Sequence, residues 1–318
     1  MSFTLRKKSI FMTAAIDPLF HTLALFGKHT SSNEPPYWVE VARYLRALGC
    51  NLLIAEDSAA GVKEHGFQSA SLDRIRKTAS TAVVVGGDGT FLGVARHLAG
   101  HGIPLIGINQ GRLGFMTDIA FDEHEARLSE IIGGDYFTEN RAHLCADIVR
   151  GDKTLHTSNA LNDVVITRGM IGGMIDIRVS VDQKFMYDLR ADALIVSSPT
   201  GSTAYALSAQ GPILHPKLEG IVIVPVAPHA LTNRPIALPQ SCEIEIFVQG
   251  GRETFVHFDM QSNAQTRVGD CIRIRVDPTP IQLIHPLHYD YFSVLRQKLH
   301  WSATPGDWSG QKRGLRGT

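Results

Sequence analysis

The chain has 318 residues, 44% hydrophobic and 19% charged, and its 31 Lys and Arg balance 31 Asp and Glu. Such a composition belongs to a globular protein and excludes a disordered or fibrous one, and the length exceeds what one core comfortably serves, so two domains are expected. A net charge of zero argues against nucleic acid or an anionic membrane as a partner, and no apolar run approaches the ~20 residues of a membrane helix.

Arg6-Lys7-Lys8 ahead of the apolar run 10–16 has the outline of a secretion signal. Asp17-Pro18 ends the run early and no small-residue cleavage site follows, so this stretch reads as an extension before the first strand. Residues 22–26 are a short apolar run closed by Gly27. A helix follows, with Trp38, Val41, Leu45 and Leu48 on one face and Gly49 just past its end. Residues 51–55 and 82–85 read as strands, 90–99 as a helix and 104–108 as another buried strand. Asp122, with Glu125 three residues later, resembles a capping box that starts a helix ending near Gly133-Gly134. Alternating strands and helices predict a parallel sheet covered by helices.

After about residue 140 the apolar period becomes two, in 174–181, 243–248 and 271–276, with turn residues between. That pattern predicts antiparallel, half-buried strands and a sandwich-like β domain. Phe292, Leu295 and Leu299 mark one last amphipathic helix, and 302–318 are a Gly-, Ser-, Lys- and Arg-rich tail read as flexible. The expected division is an α/β domain over 1–140 completed by 286–301, and a β-rich, dinucleotide-binding domain over 141–285. The four cysteines Cys50, Cys145, Cys242 and Cys271 form no C-x-x-C pair and the 14 histidines are scattered. Neither a zinc site nor a disulfide framework is expected, and a reducing cytoplasm fits.

Chemistry concentrates first in Gly86-Gly87-Asp88-Gly89-Thr90, between a strand and a helix. Glycines there let backbone N–H groups approach a phosphate, and the helix start adds a favourable dipole. A carboxylate inside such a loop repels phosphate unless it engages a divalent metal or takes a proton from a nucleophile. A plain tight turn is the other reading. No G-x-x-x-x-G-K-[ST] is present, and G-x-G-x-x-G fails because Leu92 occupies its last position, which sets aside a P-loop and a Rossmann dehydrogenase.

A second cluster, Ser197-Ser198-Pro199-Thr200-Gly201-Ser202-Thr203-Ala204-Tyr205, follows the strand at 193–196. Its hydroxyls suit ribose, phosphate or amide groups and Tyr205 offers a ring face, or else it is a Ser/Thr-capped helix start. Asn162-Asp163 before an apolar strand suits the two hydroxyls of a ribose, or is a strand-entry turn. Arg190 and Asp192 read as a local ion pair, and Asp259-Met260-Gln261 as a hairpin.

In this order the segments resemble the bacterial NAD kinase family, from residue 82 to about 301. The resemblance includes Ile106-Gly107-Ile108-Asn109-x-Gly111-x-Leu113-Gly114-Phe115, Asn162-Asp163, Asp192-Ala193-Leu194, the stretch 199–212, Asn233-Arg234-Pro235 and Leu283-Ile284-His285-Pro286. It implies an α/β domain, a β-rich domain and a terminal helix that packs back on the first. It also implies that a phosphoryl group from ATP or polyphosphate is moved, with Mg²⁺ or Mn²⁺ carried by the donor rather than fixed by the protein, onto the adenosine ribose 2′-hydroxyl of NAD. Asp88 then corresponds to the carboxylate activating that hydroxyl, in a phosphate loop of Gly86, Gly87 and Thr90. Gly89, Asn162, Asp163, Arg190, Asp192, Thr203, Ala204, Tyr205, Ala206, Leu207, Ser208 and Gln261 correspond to positions that contact NAD. Members are cytoplasmic homo-oligomers, so a homodimer or homotetramer is implied. Asp163 stands where many members carry Glu, and Gln210 where Gly is usual. The rival readings are a lipid kinase sharing the GGDGT loop and a non-catalytic NAD(P) sensor.

Overall fold

The computed structural model describes residues 17–27, 36–60, 62, 66–111, 113–169 and 173–301, so the N-terminal run ending at residue 16 and the tail 302–318 lie outside the described residues. Thr22–Gly27 (β1), Asn51–Ala55 (β2), Ser69–Ala70 (β3), Thr81–Val85 (β4) and Leu105–Asn109 (β5) pair in parallel in the order β3-β2-β1-β4-β5. Ile119–Ala120 (β6) pairs with the end of β5, and Tyr136–Arg141 (β7) lies at the far edge of the same sheet.

Helices Tyr37–Ala47 (α1), Leu72–Thr78 (α2), Asp88–Leu98 (α3) and His124–Ile132 (α4) cover the two faces. Alternation along β4 shows how: Ala82 and Val84 pack with Phe91 and Leu92 of α3, whereas Val83 and Val85 pack with Trp38 and Val41 of α1 and Leu128 of α4. A strand covered on both faces must be apolar throughout, which is why 81–85 reads as an unbroken buried run. The capping box expected at Asp122 does not form. Phe121–Glu123 turns as a 3₁₀ segment, so α4 begins only at His124 and no side chain caps it.

The second domain is two antiparallel sheets of six strands each among the described residues. Its strands are Leu144–Arg150 (β8), Lys153–Ala160 (β9), Asp163–Arg168 (β10), Ile175–Val181 (β11), Lys184–Ala191 (β12), Ala193–Ser197 (β13), Gly220–Val226 (β14), Ile236–Pro239 (β15), Ile244–Gly250 (β16), Thr254–Phe258 (β17), Ser262–Thr266 (β18) and Asp270–Val276 (β19). One sheet runs β15-β14-β13-β10-β17-β18 and the other β12-β11-β16-β19-β8-β9. Alternate residues such as Ile177, Val179, Ile244, Ile246, Ile272 and Ile274 meet Val164, Ile166, Leu194 and Val196 between them, as the period-two pattern requires.

The chain then returns. Ile281–Pro286 (β20) inserts between β5 and β7, with Leu283 in one core of the first sheet and Ile284 in the other. The strand that returns to the first sheet thus begins at Ile281. The final helix spans Tyr291–Leu299, and the Asp290 carboxylate caps it by accepting the N–H of Phe292 and Ser293. Its buried face is Tyr291, Val294 and Leu295; Phe292, expected on that face, is exposed.

Where β20 meets β7, a charged cluster is buried. Arg141 donates twice to Glu139 Oε2, at 2.9 and 2.7 Å, and once to Thr200 Oγ1 at 3.3 Å. His285 bonds Asp118 through Nδ1 at 3.0 Å and lies 3.3 Å from Glu139 through Nε2. Burial alone would raise the Glu139 pKa, but His285 and Arg141 outweigh it and hold the carboxyl at about 2. The cluster thus joins the first sheet to the 199–208 loop of the second domain. Arg141 is 2% exposed, and removing one partner of a buried pair strands the other's charge. Arg141→Ala is therefore expected to cost about 3–5 kcal/mol of stability by urea denaturation; a loss under about 1 kcal/mol, the range of exposed pairs, contradicts this role.

Candidate active site

β4 ends at Val85 and α3 begins at Asp88, so Gly86 and Gly87 are the whole connection. A Cβ on Gly86 would lie 2.7 Å from Thr90 Oγ1, whereas one on Gly87 or Gly89 would meet nothing within 4 Å. Packing therefore requires only the first glycine, and Thr90 serves to pack against it. The other two leave bare backbone at the N-terminus of an 11-residue helix, where N–H groups and the helix dipole favour an anion. A plain tight turn accounts for Gly86 alone.

Asp88 is held by the loop after β5. Its Oδ2 accepts the Phe115 N–H at 2.9 Å. Its Oδ1 accepts the N–H of Met116 and Thr117 at 3.1 and 3.3 Å and the Thr117 hydroxyl at 3.2 Å. A Cβ on Gly114 would stand 2.2 Å from that Oδ1, so the carboxylate fits only against glycine. Asn109 completes the cradle, donating to Thr117 Oγ1 at 2.8 Å and accepting the Gly111 N–H at 2.7 Å. Oδ1 is saturated, while Oδ2 takes one bond and retains a lone pair for another donor.

Between β9 and β10, the turn at Leu161 and Asn162 is clamped from two sides. The Asp259 carboxylate accepts the N–H groups of Leu161, Asn162 and Asp163 at 2.9, 2.7 and 3.2 Å. Opposite, the Ser198 N–H donates to Asn162 O at 2.9 Å and its hydroxyl to Leu161 O. A Cβ on Gly201 would fall 2.1 Å from Asn162 O, which fixes that glycine by close approach. Leu161 buries its side chain in the core that contains Leu92 and Val94 of α3, seating the turn on the first domain. Asn162 Oδ1 is buried with no hydrogen-bond partner. Asp163 is 2% exposed, and burial, then the neighbouring Asp259 charge, push its carboxyl up to about 7.

Asp259 and Met260 adopt left-handed backbone angles, φ 52° and 53°, at the tip of the β17–β18 hairpin. Just past the tip, Gln261 Nε2 donates to Gly89 O at 2.5 Å, and Arg96 of α3 donates to Ser262. The hairpin therefore binds the glycine loop with one residue and the Asn162–Asp163 turn with another.

Residues Gly201–Thr203 form a 3₁₀ turn and Tyr205–Ser208 one helical turn (α5). The Ser202 hydroxyl donates to Pro199 O and accepts the Leu214 N–H, and the Thr203 hydroxyl donates to Thr200 O. These hydroxyls hold the loop's own backbone, and no side chain caps α5. Ala206 packs on the outer face of the β13–β14 pair with Ile195, Val222 and Val224, which leaves Tyr205 exposed beside it. Leu207 is half-buried, and Ser208 lines a cavity of about 530 Å³ with Asn233 and Arg234. Gln210 has φ 65°, a left-handed conformation that favours glycine.

Arg190 and Asp192 do not join this group. They also do not pair with each other: Arg190 lies 3.7 Å from Asp176 across the β11–β12 ladder, and Asp192 bonds Arg168 at 2.8 Å. Arg190 closes β12 in one sheet while Asp192 stands at the crossing to β13 of the other, so each finds its partner on a neighbouring strand instead. Asp163 pairs with Ser197 at one end of β13, and Asp192 precedes the other end. Five residues of extended chain separate the two ends by roughly 17 Å. Within one chain the structure brings together Asp88, Gly89, Asn162, Asp163, the 198–205 loop and Gln261.

Two clamps escape a reading of the sequence. Asp259 looks like any hairpin-tip aspartate, and its partners are backbone groups. The Phe115–Thr117 donors are likewise backbone; only Gly114 signals the close approach. A cavity of about 570 Å³ lies by Glu139, Lys217 and Asp277 and contains none of these residues. Among the described residues no helix is long and apolar enough to cross a membrane.

Two family models match the chain: the ATP-NAD kinase N-terminal domain over residues 25–136 and the ATP-NAD kinase C-terminal domain over 161–286. Among curated relatives, an NAD kinase of Ralstonia nicotianae is 46% identical over 286 residues, 90% of this chain and 95% of the relative. One of Cupriavidus pinatubonensis is 47% identical over 293 residues, 92% and 96% respectively. Of solved structures, yeast NADH kinase complexed with NADH aligns with a TM-score of 0.79 at 21% identity, covering 90% of this chain and 89% of that one. An NAD kinase from Archaeoglobus fulgidus in complex with ATP aligns with a TM-score of 0.70 at 24% identity, covering 87% and 99%. These two likenesses establish the shared fold.

The raised Asp163 carboxyl has a consequence for stability. Its folded-state pKa, about 7, exceeds the unfolded value of about 3.9, so its contribution is fully present below about pH 4 and is lost as pH rises through about 7. Asp163→Asn removes that titration. The variant is expected to melt at a higher temperature than the parent at pH 8 and to show the smaller loss of Tm between pH 5 and 8. A lower Tm at pH 8 contradicts the burial argument.

Proposed function

This chain belongs to the NAD kinase family, and we infer that it is an enzyme that phosphorylates NAD to NADP. One observation carries the assignment of roles. Three acceptors with spare capacity, Asp88 Oδ2, Asn162 Oδ1 and the Asp163 carboxyl, sit on turns tied together through Asp259 and Gln261. They stand beside a helix N-terminus suited to phosphate. A ribose diol supplies donors to such acceptors, and the family identifies that diol as the adenosine ribose of NAD. Asn162 and Asp163 orient the sugar, and Tyr205 offers its exposed ring to the base or the amide. Gln261 and the 203–208 loop frame the dinucleotide.

In the reaction the 2′-oxygen attacks the terminal phosphorus of the donor. Its proton passes to Asp88 Oδ2 as the new O–P bond forms, and the bond to the leaving phosphate breaks, releasing ADP when the donor is ATP. The bare N–H groups of Gly87 and Gly89 face the charge that develops on the transferring group. With Oδ1 saturated, Asp88 offers a metal at most one ligand atom. A divalent ion such as Mg²⁺ or Mn²⁺ would be held by the donor's phosphates, with Asp88 Oδ2 the one protein ligand this loop could add, and would supply neutralisation of their charge. A cavity of about 420 Å³ beside Thr90 and Gly93, at the carboxyl ends of β1 and β2, receives the donor; open α/β sheets take ligands at that edge. Its wall carries Glu56 and Asp57, which repel bare phosphate and favour the metal complex. ATP is the donor the family name indicates, and inorganic polyphosphate is the other candidate.

Arg190, on β12, and Asp192, before β13, lie beyond the end of β13 far from this sugar, so they act on the dinucleotide of a neighbouring copy in a homodimer or homotetramer. The four cysteines are buried and unpaired, which suits the cytoplasm.

Two experiments test this reading. Asp88→Asn keeps an oxygen for the Met116 and Thr117 donors but cannot accept the ribose proton. It is expected to lower kcat for NADP formation from NAD and Mg-ATP by about 10²–10⁴, with some loss of melting temperature because its amide NH₂ then faces the Phe115 N–H. Recovery at high Mg²⁺ makes the carboxylate a metal ligand instead, and near-normal turnover at ordinary Mg²⁺ removes it from catalysis. Second, co-expression of Asp88→Asn with Asp192→Ala is expected to yield mixed oligomers more active than either variant alone, because one site then has both residues intact. No recovery places Asp192 in its own chain's site or in none.

A further inference from the structure

Helices α1 and α4 lie side by side on the face of the first sheet opposite α3, sharing a core that includes Trp38, Leu45, Leu128 and Ile131. At their contact is His124, the first residue of α4, only 3% exposed. Its Nδ1 bonds Phe121 O at 2.5 Å, and its ring stacks on Phe121 with centroids 4.8 Å apart. A carbonyl oxygen can only accept, so Nδ1 carries the proton and Nε2 presents a lone pair. That Nε2 is buried and has no hydrogen-bond partner. One ligand atom each from Glu40 of α1, His124 and Glu125 all lie within 4.8 Å of one another, and with Nδ1 committed to Phe121 it is Nε2 that is free to serve. Three acceptors converge with no donor among them, and what satisfies such a set is a cation.

We propose that Glu40, His124 and Glu125 form a binding site for a first-row divalent metal, Zn²⁺ foremost, that braces α1 against α4. An imidazole nitrogen with two carboxylate oxygens is a borderline donor set that suits Zn²⁺ better than Mg²⁺ or Ca²⁺, which prefer all-oxygen cages. A metal-ligating histidine characteristically donates its other N–H to a carbonyl, as His124 does to Phe121, which fixes ring and tautomer before the ion arrives. Donors at about 2.0–2.2 Å from Zn²⁺ stand about 3–4 Å from one another, a spacing that rotations of the two exposed glutamate side chains supply. Water completes the shell. The brace is independent of phosphoryl transfer: its ligands come from helices that carry none of the site residues.

The test is equilibrium dialysis of the chelator-stripped, full-length protein against Zn²⁺ without nucleotide, with thermal melts alongside. The parent is expected to bind one Zn²⁺ per chain more than Glu40→Gln or Glu125→Gln, and to gain several degrees of Tm that the variants do not gain. His124→Gln should weaken the site roughly tenfold or more. Because His124 is buried and its replacement can unfold α4, the two exposed glutamates decide the outcome. Zn²⁺ binding to parent and glutamate variants with equal stoichiometry and affinity overturns the proposal, as does no binding to the parent.

Discussion

The Asp259 carboxylate accepts three successive backbone N–H groups from the turn that carries Asn162 and Asp163, and two residues on, Gln261 reaches the carbonyl of Gly89. Those four hydrogen bonds hold the acceptor end of the site, in the β domain, against the phosphate end, in the α/β domain. A carboxylate aimed at backbone fixes a turn's shape without spending the turn's side chains. Asn162 Oδ1 is consequently left with its acceptor capacity unspent, beside the Asp163 carboxyl. The same economy holds at Asp88, where the Phe115–Thr117 backbone saturates one oxygen and leaves capacity on the other. Both halves of the chemistry rest on side chains immobilised from behind by main chain.

Such a site costs stability while empty. Asp163 and Asp259 are both buried, and the Asp259 charge adds to burial in raising the cost of ionising Asp163. The Asp163 carboxyl, to which we assign a sugar hydroxyl, has its pKa held near neutral, the kind of local destabilisation that function imposes on an otherwise consistent fold. The rest of the molecule offsets it through ordinary means: two continuous cores on the two faces of the parallel sheet, one between the β sheets, and the ion cluster of Glu139, Arg141 and His285 at the junction.

Much of this was legible in the sequence, for identifiable reasons. Buried parallel strands must be apolar throughout and half-buried antiparallel ones must alternate, so 82–85 and 174–181 announce their sheets. Glycines at 86, 87 and 89 marked the phosphate end. What remained hidden depended on contacts that spacing does not encode. Asp122 resembled a cap until a 3₁₀ turn took its place. Phe292 fitted the helical period, yet the packed face ran through Tyr291 and Leu295. Arg190 and Asp192 looked like a pair because they are near in sequence, while the strand ends send them to Asp176 and Arg168. Glu40 and His124 come from different helices and meet only once the sheet has assembled.

The central claim is that one ribose meets all three acceptors, and a crystal structure of the protein with NAD measures it directly. The account predicts the adenosine 2′-hydroxyl within hydrogen-bond reach of Asp88 Oδ2, about 2.6–3.2 Å, with the sugar also donating to Asn162 Oδ1 or Asp163. A 2′-hydroxyl turned to solvent, or a dinucleotide bound away from the Asn162–Asp163 turn, contradicts it.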